Sequence, residues 1–221
     1  MAGSVLASGP GTSLDEARNL HVAGDLAGAE RLYRRLIAAD PDRAETWYLL
    51  GRACQATGRV AEAVACYRQA LARNPGLAEA HGNLGIALNS LGRSTEAIAC
   101  YREAIRLQPG YAEAHNNLGN ALSGLGRPAE AAESLRNAIR LRPGFAEAHN
   151  NLGLVLKGMR AWPEALASLR ESIRVAPHFA EAHVNLGIVL GELREDDQAM
   201  AAFQARPRFG LCRNGAMARD P

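Results

Sequence analysis

The sequence predicts an all-α stack of helix pairs, and three observations carry that reading. A proline returns every 34 residues, at Pro41, Pro75, Pro109, Pro143 and Pro177. The segments that follow restate one pattern, as in PGYAEAHNNLGNALSGLGRPAEAAESLRNAIRLR (109–142) and PGFAEAHNNLGLVLKGMRAWPEALASLRESIRVA (143–176). Alanine supplies much of the apolar content, while aromatic residues make up only 5% of the 221, which suits close-packed helices better than a bulky core. Self-similarity at a fixed period means units that bury their apolar faces against one another, and such arrays present long binding surfaces.

Within one unit, 78–108, His81, Leu84, Gly85 and Leu88 recur at helical spacing and predict an amphipathic first helix. Gly92 follows as a left-handed stop. Ala97, Ile98, Tyr101, Ala104 and Ile105 then form a second apolar stripe. Glu96 lies in that helix's first turn, where the dipole favours a negative charge. Pro128 and Pro163 fall near the same point of later units, where a first-turn proline is tolerated. The next proline closes the unit.

Gly51, Gly85, Gly119, Gly153 and Gly187 sit inside the first helices, where each costs about 1 kcal/mol relative to alanine. Close approach to the second helix is the expected reason, with Ala63, Ala97, Ala131, Ala165 and Ala199 as the small residues opposite. An imperfect earlier unit keeps the register through Leu14, Ala17, Leu20, Gly24, Ala29 and Tyr33. Units are expected near 13–40, 44–74, 78–108, 112–142, 146–176 and 180–205, the last incomplete. Residues 1–12 are expected to be a disordered N-terminus, 13–205 the array, and 206–221 an irregular basic tail.

This pattern resembles the tetratricopeptide repeat. Trp47, Leu50, Gly51, Ala63, Tyr67, Ala70 and Pro75 carry the resemblance in 47–75, and it extends over roughly 13–204. Later units depart from it: His81, His115, His149 and His183 replace the tryptophan, and Leu135 and Leu169 replace the second-helix tyrosine. The resemblance implies a right-handed superhelical solenoid of about six antiparallel helix pairs, with the first helices lining its concave wall.

Asn83, Asn117, Asn151 and Asn185 each precede the Leu-Gly of their unit, and Asn116, Asn150 and Asn120 thicken that column. Asparagine is a poor helix-interior residue, so four in one register ask for a use. An amide offers a donor and an acceptor and can pair with a peptide backbone whatever its side chains. Rungs about 10 Å apart would meet roughly every third residue of an extended chain. The phrase AEAHNNLGNAL also looks like the repeats of O-linked N-acetylglucosamine transferases and related bacterial repeat proteins, in which an asparagine ladder grips substrate backbone. That resemblance implies the same role for the four aligned asparagines.

Other function classes find less support. Net charge is +2 overall, and residues 205–221 hold Arg206, Arg208, Arg213 and Arg219 against Asp220, so the array itself is near neutral. A nucleic-acid partner needs a basic track for phosphates, and none is expected. Histidines one unit apart cannot share a zinc, and they are expected to pack. Of Cys54, Cys66, Cys100 and Cys212, no pair has metal spacing; Cys66 and Cys100 share a register and are expected to be neighbouring reduced thiols. Glu45, Glu79, Glu113, Glu147 and Glu181 form a column suited to the helix dipole; the alternative is an acidic lip that selects basic peptides. With glutamate and asparagine on the inner face, the Lys/Arg clamp by which some family members hold a C-terminal carboxylate is expected to be missing. No nucleophile elbow, phosphate-cradling glycine loop or paired-carboxylate constellation is present, so no catalysis and no cofactor or metal is expected. No apolar run reaches the length of a signal peptide or membrane span. The expectation is a cytoplasmic, non-catalytic scaffold binding a protein or extended peptide, with no nucleic acid and no membrane partner. The alternative is the substrate-recognition arm of a truncated glycosyltransferase.

The register stops abruptly. Phe203 fills the second-helix aromatic slot, but Arg206 and Leu211 stand where a small residue and the closing proline are due, and Pro207 interrupts the helix. A truncated or frameshifted piece of a larger repeat protein is expected. Its uncapped end should expose Leu190 and Phe203 and invite self-association.

Overall fold

The computed structural model describes residues 13–205. Among them run twelve α-helices and no strand: α1 Leu14–Val22, α2 Leu26–Ala39, α3 Ala44–Ala56, α4 Val60–Arg73, α5 Ala78–Ser90, α6 Ser94–Leu107, α7 Ala112–Gly124, α8 Pro128–Leu141, α9 Ala146–Gly158, α10 Trp162–Val175, α11 Ala180–Glu192 and α12 Asp196–Ala205. The chain divides into two compact units, Met1–Pro143 and Gly144–Pro221. In the first, α1–α8 make four consecutive pairs; in the second, α9–α12 make two. The all-α class and the six pairs match the sequence reading. The expectations for 1–12 and 206–221 lie outside the described residues.

Each pair forms for local reasons. Ser13 and Asp25 cap α1 and α2 by accepting from the amides of Glu16 and Gly28. Helices α3 to α11 have no side-chain cap bond, but α4, α6, α8 and α10 each carry a glutamate in the first turn, and α8 and α10 have their prolines there. The first helix of each pair ends in a left-handed residue, and from α3 onward the next amide reaches back five residues, as Arg93 N does to Leu88 O at 2.9 Å. In the first unit the left-handed residue is a glycine (Gly24, Gly58, Gly92, Gly126); in the second it is Arg160 (φ 58°) and Arg194 (φ 62°).

The interior glycines are packing glycines, but the residues that need the space differ from those expected. A Cβ on Gly51 or Gly85 would fall 2.6 or 2.5 Å from the ring of Tyr67 or Tyr101. On Gly119 and Gly153 it would meet Leu135 and Leu169 at 2.6 Å, and on Gly187 it would meet Phe203 at 2.6 Å. The alanine column lies behind, contributing backbone oxygens at 3.2 Å (Ala131) and 3.3 Å (Ala165). Large second-helix side chains are therefore pressed flat onto the bare first-helix backbone. Tyr33, Tyr67, Leu135 and Leu169 have no exposed surface at all. A further correction concerns Leu190, which is buried in a small core with Ala199, Ala202, Leu166, Leu186 and Phe203. The apolar stripe of α12 covers it, so it is no exposed end surface; Phe203 is half-buried over Gly187.

Second helices of the first unit are also tied from repeat to repeat. Arg34, Arg68 and Arg102 reach Glu62, Glu96 and Glu130 at 3.3, 3.2 and 3.5 Å. Each of those glutamates is held again by an arginine three residues before it. Such exposed pairs contribute little singly, but they account for the arginine register.

Candidate peptide-binding face

First helices of neighbouring pairs touch at α3–α5 and α5–α7 in the first unit and at α9–α11 in the second. Their entry is fixed by a ring donor. Trp47 Nε1 donates to the carbonyl of Pro41 at 2.8 Å, and His81, His115 and His183 place Nε2 at 3.0, 3.4 and 2.9 Å from the carbonyls of Pro75, Pro109 and Pro177. Packing alone was expected of this slot. What tryptophan and histidine share is a ring N–H, and both stand six residues after a proline; that common chemistry is the signal in the sequence. Burial first, opposed by the Pro109 bond and helped by Arg140, holds the His115 imidazole below its usual pKa.

The four aligned asparagines, Asn83, Asn117, Asn151 and Asn185, are all half-buried. Asn83 Nδ2 donates to the Tyr48 hydroxyl at 3.1 Å. Asn117 Oδ1 accepts from Asn116 Nδ2 at 3.4 Å. In the second unit, Asn185 Nδ2 donates to Asn150 Oδ1 at 2.8 Å. Asn116 and Asn150 are 7% and 2% exposed, while Asn120 is exposed. The thickened part of the column is thus divided between buried props and an outer amide. Burial follows from position: the register one residue earlier along the helix faces the following repeat, as Asn150 does toward Asn185.

The glutamate column is partly ion-paired. Glu45 pairs with Arg18 of α1 and lies 3.7 Å from Arg43, and Glu113 pairs with Arg142. The Glu113 carboxyl sits below its ordinary pKa: burial opposes this, and the Arg142 bond leads the groups that lower it. Dipole complementarity is therefore only part of its role.

Beside Asn83 lies an open concavity of about 290 Å³, lined by His21 of α1, Arg52, Gln55 and Ala56 of α3, Tyr67 of α4 and Asn83 of α5. Tyr67 donates its hydroxyl to Gln55 Oε1 at 2.7 Å. The Arg52 guanidinium carbon stands 6.0 Å from the Tyr48 ring centroid. Burial first, then the Arg52 charge, lowers the His21 pKa. No sequence argument singled out His21, Arg52 or Gln55, because they come from helices separated by a whole repeat.

A metal is not favoured where donor atoms do gather. Glu30, Cys54 and Glu62 bring theirs within 4.8 Å of one another, but Glu30 is already bonded by Arg59 and Arg34. Burial also pushes up the Cys54 thiol, keeping it protonated. Cys66 neighbours Cys54 across its own hairpin; burial, then that neighbour, pushes its pKa up to about 12. Cys54, Cys66 and Cys100 are free thiols, and Cys212 lies outside the described residues. Among the described residues, no helix is long and apolar enough to cross a membrane.

Comparison with known proteins gives one consistent answer. Five repeat models, described as TPR repeat or tetratricopeptide repeat, match residues 20–82, 66–99, 87–126, 112–145 and 157–208. No curated protein sequence matches the chain. Among solved structures, MamA is 28% identical, with 72% of this chain and 93% of that chain covered and a TM-score of 0.69. PilF of Pseudomonas aeruginosa is 23% identical over 86% of each chain, with a TM-score of 0.75. YrrB, described as a TPR protein with an unusual peptide-binding site, is 21% identical over 80% of this chain and 93% of that one, with a TM-score of 0.66. Repeat models reaching from residue 20 to 145 and from 157 to 208, on consecutive helix pairs, establish that the chain belongs to the tetratricopeptide repeat family.

Proposed function

We propose that this chain is a non-catalytic scaffold that holds a partner protein's extended segment on its first helices. Asn83 and Asn117 act in the first unit, and Asn151 and Asn185 in the second. The observation that carries the reading is the state of the Asn83 and Asn117 amides. Each has one end fixed by the protein, through Tyr48 or Asn116, and no partner at the other end among the described residues. A half-buried amide with one end anchored is held ready for a backbone N–H or C=O, at little further entropic cost. Asn116 and Asn150 act as the props that aim these groups, and exposed Asn120 extends the contact. YrrB, with its peptide-binding site, is a precedent for such use of the fold.

The test is capture of partners from a lysate of the source organism by the full chain, followed by affinity measurement on the recovered segment. Asn117→Ala and Asn151→Ala should each weaken binding several-fold with helicity unchanged. Undiminished affinity in both variants removes the ladder, and turnover of a sugar nucleotide by the chain alone overturns the non-catalytic reading.

A further inference from the structure

We propose that the concavity between α1, α3 and α5 receives an acidic side chain of the bound peptide, with Arg52 as its counter-charge. This rests on the peptide-binding reading and specifies its partner. Arg18 and Arg52 occupy the same register in successive repeats, 34 residues apart. Arg18 is satisfied, pairing with Glu45 and with Asp15 at 3.1 Å. Arg52 has no carboxylate partner among the described residues; it does not close on Glu79, the equivalent of Glu45, but lies 6.0 Å from the Tyr48 ring centroid, on the rim of the concavity.

The other lining groups offer donors. Gln55 has its carbonyl end occupied by the Tyr67 hydroxyl at 2.7 Å, so its NH₂ end remains to donate. Tyr33 shares its hydroxyl with His21 Nδ1 at 3.3 Å, leaving His21 Nε2 as the second ring nitrogen. Asn83 Nδ2 has one hydrogen on Tyr48 and a second to give. Arg52 is the one formally charged residue in the lining. A cation surrounded by amide donors matches a carboxylate, whose oxygens only accept.

The register also says what should flank it. Arg52's counterpart on α5 is Ile86, 38% exposed. Repeats about 10 Å apart correspond to roughly three residues of extended chain. The preferred segment therefore carries an acidic residue about three positions from an aliphatic one, with its backbone held by Asn83 and Asn117.

The experiment uses arrays of decapeptides on an alanine–serine background, carrying leucine and, three positions away, glutamate, glutamine or lysine. C-terminal amides are used throughout, with free-acid copies of the glutamine set. The full chain should be captured about ten-fold better by glutamate than by glutamine peptides, the worth of one charged hydrogen-bonded contact. Arg52→Gln should erase that preference, Arg52→Lys should keep part of it, and Asn117→Ala should lower capture of both peptides alike. No capture of any peptide overturns the peptide-binding reading, and this proposal with it. Capture without a glutamate preference, a preference that survives Arg52→Gln, or a preference produced only by free C-termini overturns this proposal and leaves the ladder standing.

Discussion

Replacing Gly85 by alanine sets two known effects against each other. Helix propensity favours alanine by about 1 kcal/mol. Against it, the new Cβ would stand 2.5 Å from Tyr101 Cε1, 2.8 Å from Cδ1 and 3.0 Å from Cζ. The ring is 2% exposed and cannot swing into solvent without vacating the core. Overpacking of this kind costs about 1–3 kcal/mol, so Gly85→Ala should be net destabilising by about 1 kcal/mol at the middle of that range. Gly191→Ala is the control: nothing lies within 4 Å of its Cβ, and it should stabilise by about 0.5–1 kcal/mol. Urea titration followed by helical ellipticity reads both. Because a repeat array can lose two-state behaviour, the order of midpoints is the readout: Gly85→Ala below wild type, Gly191→Ala above. In a Tyr101→Ala background the Gly85→Ala penalty should vanish. A Gly85→Ala protein as stable as wild type, or an equal penalty with and without the Tyr101 ring, would refute the packing argument.

Arg160→Gly should raise the urea midpoint by an amount worth about 0.5–1 kcal/mol, since glycine relieves a positive φ at some cost in unfolded-chain entropy; a lower midpoint would contradict it. Acid should weaken the fold in two steps. Burial depresses the His21 and His115 pKa values below 6.5, so the unfolded chain binds protons first and stability falls as pH drops through 6.5. Arg59 leads the groups that bring Glu30 from 4.5 to about 2, so its contribution is full above 4.5 and lost on the way down to about 2. Midpoints measured from pH 8 to pH 3 check this: His21→Gln with His115→Gln should flatten the first step and Glu30→Gln the second. An unchanged profile in both would refute the assignments.

The helices and their pairing were legible because 3.6-residue periodicity and the 34-residue repeat agree at every level. The need for small residues at Gly51 and its equivalents was legible too, but not what fills the space. Ala63 and Tyr67 recur in equally regular columns, and only the 2.6 Å approach of the Tyr67 ring separates them. The asparagine column was visible as a pattern, whereas the burial of Asn116 and Asn150 depends on the neighbouring repeat. Arg52 was invisible for a different reason. The register it shares with Arg18 continues through Ile86, Asn120, Leu154 and Ile188, which makes no column to read until Gln55, His21 and Asn83 are brought around it.

The bond from the ring nitrogen of Trp47, His81, His115 or His183 to a proline carbonyl six residues earlier closes within one repeat. The direction in which a module's first helix sets off from its proline is therefore encoded inside the module. Excising residues 78–111 would rejoin Leu77 to Ala112 in register and offer Glu130 to Arg68 in place of Glu96. A three-pair version of the first unit should then fold as a shortened cassette, and the length of the grip becomes something evolution or an engineer can adjust by counting modules.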